Sequence, residues 1–412
     1  MPGPVIGCTN YYKIRAMKEI KKIIVKSGKD QSLRRLHPWL FSGAIKKMYG
    51  TPRDGELVKV YDNKNEFLAL GHYQIGSIAV RVISFKDLDP DENFWMEKIK
   101  GIYEYRKMLG LFGSEETSVF RFINAEGDGM PGLIADFYNG TLVIQFHSVG
   151  MYLIRDMLVE IFKNVLGEKL KAIYDKSGRT LPHKAGIDHK DAWLFGEDRG
   201  EGVREYGNSF KIDFEKGQKT GFFIDQRENR KLVERYSKDK KVLNLFGYSG
   251  GFSVYAMRGG AELVHTVDSS AIAIELAKEN LELNFPGDKR HEAIVADAFN
   301  YLDSAGDKGY DLIILDPPAF AKHQNVIHQA LQGYKRLNAK AFQCIKPGGI
   351  LLTFSCSQAV SKENFKRSVF VAAANSGRSV RIMHQLSQPV DHPVSIYHPE
   401  GEYLKGLVLY VD

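Results

Sequence analysis

From about residue 206 the chain repeats one pattern, an apolar run of five to eight residues followed by a helical segment. The runs are KVLNLF, LVHTVD, AIVAD, YDLIILD and GILLTFS, separated by helix patterns such as SVYAMRGG, AIAIELAKENLELN and QGYKRLNAKAFQCI. Near-continuous apolar runs are what strands buried on both faces of a parallel sheet require, and parallel neighbours need a crossover, usually a helix. The alternation therefore predicts a doubly wound, Rossmann-like α/β layer over residues 206–412. Ligands of such sheets sit outside the carboxyl ends of the strands, so the residues ending each run become the candidates.

The rest of the chain follows a different rhythm. From Ile20 it reads as short strands broken by turns, EIKKIIV, SGKDQSLRRLHPW, GELVKVYD, NEFLALGHY and SIAVRVISF, which predicts a small β-barrel or sandwich over 20–88. The acidic stretch FKDLDPDEN, with Pro90, reads as a boundary. Residues 93–205 mix helix patterns (FWMEKIKGIYEYRKMLGLF and YLIRDMLVEIFKNVL) with strands, as an α+β middle domain does. Its GDGMPG reads as a structural turn, because no helix start follows it. The first sixteen residues, ahead of Met17, show no periodicity, and 1–19 reads as a flexible extension.

The loop after the first run, FGYSGGFSVYA, sets Gly247, Gly250 and Gly251 between a strand and a helix. Glycines there let the backbone approach a ligand and offer helix N-terminal N–H groups. The spacing is not GxGxxG, which counts against a dinucleotide oxidoreductase. Asp268 ends the second run 21 residues after Gly247, a distance at which a carboxylate accepts hydrogen bonds from ribose hydroxyls. Asp297 follows the third run, where a carboxylate takes an exocyclic amine. Either could instead be a helix N-cap. Three strand-end features within about 50 residues favour a nucleoside-bearing cofactor. The fourth run ends in Asp316 with Pro317–Pro318 stiffening the chain behind it, and the fifth sets Cys356 between Ser355 and Ser357. Cys344 lies on the apolar face of a helix pattern and reads as a small core residue. Cys356, at a strand tip between hydroxyls, reads as a nucleophile.

Charge is unevenly placed. The chain carries +7 overall, yet residues 1–89 hold 16 Lys/Arg against 8 Asp/Glu. A local basic excess suits a polyanion partner, although a solvated basic segment would look the same. Three cysteines without CxxC spacing exclude a disulfide scaffold and argue against zinc; no metal is expected, and the reducing cytoplasm is the expected compartment. No apolar run approaches the ~18 residues of a membrane helix.

Taken together, FGYSGGF, VDSS, DPPAF and TFSCS resemble motifs I, II, IV and VI of class I S-adenosylmethionine-dependent methyltransferases. With RRLHPWLFSGAI, EGDGMPGLIADF, GQKTGFFIDQRENR and DHPVSIYHPEGEYLKG, the chain resembles over residues 20–412 the 23S ribosomal RNA cytosine-C5 methyltransferases that carry a PUA domain. The resemblance implies a mostly parallel seven-stranded sheet and S-adenosylmethionine as cofactor. It implies that Gly247, Asp268 and Asp297 line the methionine, ribose and adenine parts respectively, with Phe246, Tyr248, Ser249, Gly250, Ser269 and Ala298 in the same cofactor-binding set. It also brings Thr220, Phe222 and Gln226, with Lys219, Gly221, Asp225 and Arg227, beside the site, and adds Asp316 to the cofactor set. The basic segment would dock RNA through Arg34, Arg35, His37, Trp39, Lys46 and Lys47. The partner implied is 23S rRNA, before or during subunit assembly; no membrane partner is expected, and homodimerisation stays open.

The chemistry fits these residues. Carbon 5 of cytosine is a poor nucleophile, and a thiolate adding at carbon 6 would turn the ring into an enamine that attacks a sulfonium methyl. Cys356 would be that thiolate, with Asp316 on the N3/N4 edge. A free thiol has a pKa near 8.5, so the thiolate needs local help. Two departures stand out. Pro317–Pro318 occupy the place where many RNA cytosine-C5 enzymes keep a second cysteine, and Ala319 stands where the family commonly has lysine. Competing readings are an amino-group methyltransferase acting on adenine or guanine, for which DPP plus an aromatic is the signature, and a non-catalytic RNA-binding protein.

Overall fold

The computed structural model describes residues 20–182, 186–197, 202–306, 309–321 and 326–412. The extension expected over 1–19, with Cys8, lies outside them. The chain divides into two compact units. One gathers the residues up to 201 with 213–221 and 390–401; the other gathers 202–212, 222–389 and 402–412.

The first unit opens with β1 (Lys21–Val25), α1 (Gln31–Arg34), β2 (Trp39–Phe41), β3 (Ile45–Tyr49), β4 (Leu57–Tyr61), β5 (Phe67–Tyr73) and β6 (Ile78–Ser84). The strands form one sheet in the order β2-β6-β5-β4-β1-β3. Alternation puts Ile23, Val25, Val58, Val60, Ala69 and Val80 into its core. The SGKDQSLRRLHPW stretch departs from the expected strand: QSLR makes one helical turn. Asp30 and Arg34, four residues apart, meet at 2.6 Å, a pairing only helix geometry allows locally.

Then come α2 (Glu92–Met108), β7 (Val119–Asn124), β8 (Leu133–Tyr138), β9 (Thr141–Phe146), α3 (Val149–Leu153), α4 (Arg155–Leu166), β10 (Ala172–Asp175) and β11 (Ala192–Phe195). Asp91 caps α2 by accepting from the Phe94 N–H. The sheet runs β11-β10-β9-β8-β7 over a core of Trp95, Phe120, Phe122, Phe146 and Phe162. GDGMPG is a turn, with Gly129 and Gly132 at φ 67° and 81°. The segment 390–401 is held here by the buried Arg106, which pairs with Asp128 at 2.6 Å and donates to the Asp391 carbonyl. A Cβ on Gly127 would sit 1.9 Å from the Pro393 carbonyl oxygen, so only glycine admits that approach.

The second unit starts with a hairpin, β12 (Val203–Glu205) and β13 (Asn208–Phe210), and then α5 (Arg227–Tyr236). Its main body is β14 (Lys241–Leu245), α6 (Gly251–Arg258), β15 (Leu263–Asp268), α7 (Ala271–Asn284), β16 (His291–Val295), α8 (Ala298–Ser304), β17 (Tyr310–Leu315), α9 (Ile327–Cys344), β18 (Ile345–Ser355), α10 (Lys362–Ser376), β19 (Val380–Leu386) and β20 (Lys405–Val411). The seven strands order as β16-β15-β14-β17-β18-β20-β19. The first five are parallel, and β20 is inserted antiparallel between β18 and β19. The chain leaves β14 toward β15 and later returns to β17 on the other side, which makes the β14–β17 seam the topological switch point. No helix among the described residues is long and apolar enough to cross a membrane.

Candidate active site

Register fixes what meets at the carboxyl edge of this sheet. Leu245 stands beside Val267 and Leu315, and Leu315 beside Thr353. The loops after β14, β15, β17 and β18 therefore leave from the same edge, carrying Phe246–Gly250, Asp268–Ser269, Asp316 and Cys356.

The loop after β14 is tightly built. Phe246, Tyr248 and Gly250 all take positive φ (59°, 43° and 75°), and only the glycine does so without steric cost. The Gly247 N–H donates to the Val267 carbonyl at 3.1 Å, and a Cβ there would fall 2.3 Å from Thr266 Cγ2. Asn280 donates to the carbonyl of the buried Ser249 at 2.9 Å. Asp268 secures the turn, its two oxygens accepting from the N–H groups of Tyr248 (3.0 Å) and Ser270 (2.9 Å). Asp268 is thus not the cap of α7; Ser270 is. Ser269 beside it is exposed. Asp297 is a cap, its Oδ1 accepting from Phe299 and Asn300 at the start of α8, with Ala298 buried behind it. Capping occupies one oxygen of an exposed carboxylate, so the two roles expected of Asp297 are compatible.

The side chains behind the loop are charged and buried. Glu205, fully buried, accepts from Arg230 Nε and Nη2 at 2.7 Å each and from the Tyr255 hydroxyl at 3.0 Å. Burial works against the Arg230 guanidinium, but Glu205 outweighs it and holds the pKa above its ordinary value. Arg230 also donates to the Phe223 carbonyl at 3.0 Å, and Phe223 meets the Tyr248 ring edge-on at 5.2 Å. Phe222 is buried under the Arg230 guanidinium at 4.5 Å, and Gln226 is buried, accepting from Asn229. Asp225 accepts from the Tyr403 hydroxyl at 2.8 Å. Thr220 belongs to the first unit, where it donates to Asp136 at 2.6 Å and meets the Tyr138 hydroxyl.

At the neighbouring tip Cys356 is half-buried, with Sγ 3.9 Å from the Pro317 carbonyl oxygen. Ser355 and Ser357 are fully buried, and both hydroxyls meet the Tyr334 hydroxyl, at 2.9 and 3.0 Å. Burial raises the Tyr334 pKa, so the phenol remains a hydrogen-bonding partner there. Phe320 packs on the Tyr334 ring at 4.7 Å. Cys344 is buried on α9, its thiol donating to the Leu302 carbonyl. Sequence reasoning passed over Tyr334, Arg230 and Lys405. Of these only Lys405 left a trace in the chain, as a lone charge inside the apolar run LKGLVLYV.

The residues named for RNA lie in the first unit. Arg35, Lys46 and Lys47 are exposed. Arg34 is held by Asp30, Asp62 and Glu66 at 2.6–3.1 Å. Trp39 Nε1 donates to Glu126, and His37 Nε2 meets Glu400. Among the described residues no group of three or more His, Cys, Asp or Glu could hold a metal.

The donor set of the second unit suits a nucleoside joined to an amino acid: a carboxylate beside a tight glycine turn for hydroxyls and a second, exposed carboxylate after the adjacent strand. The comparisons agree. The family described as S-adenosylmethionine-dependent methyltransferase matches residues 130–401, and a PUA-like domain matches residues 23–85. Ribosomal RNA large subunit methyltransferase I of Aeromonas salmonicida is 39% identical over 397 residues, 94% of this chain and 98% of the relative. The protein of that name from Alteromonas mediterranea is 37% identical over 395 residues, covering 95% and 98%. A structure described as a SAM-dependent methyltransferase from Streptococcus mutans shares the fold, with TM-score 0.82 at 24% identity over 95% of this chain and 100% of that one. The chain belongs to the S-adenosylmethionine-dependent methyltransferase family, with a PUA-like domain ahead of the catalytic fold, and S-adenosylmethionine is its methyl donor.

Proposed function

We propose that this enzyme methylates carbon 5 of a cytosine in large-subunit rRNA through a covalent Cys356–C6 adduct. The observation that carries the proposal is the pairing of Cys356 with the Asp316–Pro317 tip on adjacent parallel strands, the sulfur 3.9 Å from the Pro317 carbonyl. Bound S-adenosylmethionine supplies an electrophilic methyl group. The Cys356 thiolate adds to C6, and the electron pair displaced from the C5–C6 bond makes C5 nucleophilic; once C5 carries the methyl group, its proton leaves to a base or water and the C6–S bond breaks, restoring the C5–C6 double bond and the thiolate. Asp316 takes the N3/N4 edge of the base and holds the ring with one face of C6 toward the sulfur. Pro317 and Pro318 keep that tip from relaxing. The large-subunit rRNA substrate is carried over from the curated relatives, and the basic excess before residue 90 supports it. Arg35, Lys46 and Lys47 are exposed and can meet phosphates, Lys47 from over the Tyr49 ring, and the base is reached while the rRNA is still accessible in the cytoplasm.

The amino-group reading needs an aromatic ring after DPP to stack on an extruded base. Ala319 stands there, and Phe320 is taken up by Tyr334. Replacing Cys356 by Ala decides between the two. Loss of methyl transfer to rRNA, with S-adenosylmethionine binding intact by calorimetry, supports the adduct. Full retained transfer refutes it. Mass mapping of methylcytosines in rRNA from cells with and without the protein identifies the nucleotide, and an unchanged map refutes the substrate.

A further inference from the structure

We infer that Lys405 is the positioning residue that fixes Cys356 and provides the positive charge against which its thiolate forms. The inference rests on the reading of Cys356 as nucleophile and answers what that reading leaves open, the source of the thiolate.

Lys405 begins β20 and stands directly opposite Ser355, the residue before Cys356. It is 4% exposed, in a strand whose neighbours Leu404, Leu407, Val408 and Leu409 are core residues. Its Nζ donates to the Ser357 carbonyl at 2.6 Å and to the Val360 carbonyl at 2.7 Å. Those bonds clamp the chain that immediately follows the cysteine, so the Cys356 backbone is held from β20 as well as from its own strand. Among the described residues no carboxylate lies within ion-pair distance of Lys405. An ammonium buried without a counter-ion is costly, and a leucine would suit the strand better unless an anion is needed nearby.

Electrostatics agrees with the geometry. Burial pushes the Lys405 ammonium down to about 8, and Cys356 is the largest influence pulling it back up, followed by Glu402. Glu402 is exposed and paired with Lys362. The Tyr334 hydroxyl, kept neutral by burial, also feels Cys356, and Asp316 follows the end of the neighbouring strand β17. A carboxylate at the adjacent strand tip disfavours a second negative charge there, which makes a buried cation nearby the more necessary. An amine brought down to about 8 beside a thiol gives the thiolate a nearby cation without the cost of a strongly basic buried group. From the neutral amine form of Lys405, the S–H bond breaks with its electrons left on sulfur and the proton forms the ammonium N–H bond; where Lys405 is already the ammonium, the proton leaves to water and the ammonium remains as the counter-charge. No other reactant is required.

The test is the pH dependence of iodoacetamide alkylation at Cys356 in the full chain, followed by peptide mass spectrometry so that Cys8 and Cys344 are read separately. The wild-type midpoint is expected below that of a free thiol. In Lys405→Met it should rise by at least one unit, about a tenfold loss of rate at neutral pH. Lys405→Arg, which keeps the charge, should leave the midpoint at or below the wild-type value. An unchanged midpoint in Lys405→Met overturns the inference, as does an equal upward shift in Lys405→Arg, which would mean a displaced loop. Should Lys405→Met fail to fold, the reciprocal measurement stands: in Cys356→Ser, NMR titration of Lys405 should give a lower pKa than in the wild type, and an unchanged value refutes the pairing. Full methyl transfer by Cys356→Ala would sink the nucleophile itself, whatever the alkylation profile.

Discussion

Replacing Arg230 by Met tests whether the Glu205–Arg230 pair supports the cofactor loop. Arg230 is 3% exposed and Glu205 0%, and two 2.7 Å bonds join them. Removing the cation leaves a buried carboxylate that still accepts from the Tyr255 hydroxyl at 3.0 Å. Breaking a buried pair from one side costs about 3–5 kcal/mol. In a unit of 150–250 residues each kcal/mol moves Tm by about 2–4 °C, so the loss should be roughly 6–20 °C. Glu205→Leu combined with Arg230→Met removes both charges and should recover most of that loss. Urea unfolding followed by circular dichroism gives the three differences for a double-mutant cycle. The same substitution frees the Phe223 carbonyl from its 3.0 Å bond and unsupports the ring that meets Tyr248, so calorimetry should show weaker S-adenosylmethionine binding. A cost below about 1 kcal/mol for Arg230→Met, or strictly additive effects in the cycle, would refute the reasoning.

Two further predictions concern residues at the edge of the same sheet. Asn is as good a helix cap as Asp, so Asp297→Asn should leave the melting temperature unchanged yet weaken S-adenosylmethionine binding, whereas Asp297→Ala should also lose about 1 kcal/mol of stability; equal binding by wild type and the Asn variant in calorimetry would reduce Asp297 to a cap alone. His291, bonded through Nε2 to Thr266 at 2.7 Å, has its pKa depressed to about 4 by burial and by His265 and Lys278. Its neutral form therefore stabilises the fold fully above about 6.5, the unfolded value, and that contribution fades as pH falls through about 4. The stability difference between wild type and His291→Gln should shrink across that window in urea titrations, and a difference independent of pH would contradict the assignment.

Much of the second unit was legible because buried parallel strands must be apolar along their whole length. The five runs and their terminal residues could be read directly, and Gly247, Asp268, Asp316 and Cys356 follow from their positions at strand ends. Local helix chemistry was harder to see. QSLR looked like one more short piece of a β-rich segment until the Asp30–Arg34 pair was in place. The ambiguity at Asp297 was also real, since a cap and a ligand-binding carboxylate use the same residue at the same helix start. Arg230 and Tyr334 left no trace, because a buried Arg on α5 and a buried Tyr on α9 read like any others in amphipathic helices.

The sequence by itself determined the alternation of strand and helix, which residues stand at the carboxyl edge and the concentration of positive charge before residue 90, since each depends on spacing or composition along one chain. Only the tertiary structure decided which distant residues share an environment. It set β20, reached after α10 and β19, antiparallel against β18, and so brought Lys405 opposite Ser355. It likewise assigned 213–221 and 390–401 to the first unit while their flanks belong to the second. Pairings between residues tens of positions apart are set by register and by what each side chain must bury, and neither is written in the local sequence.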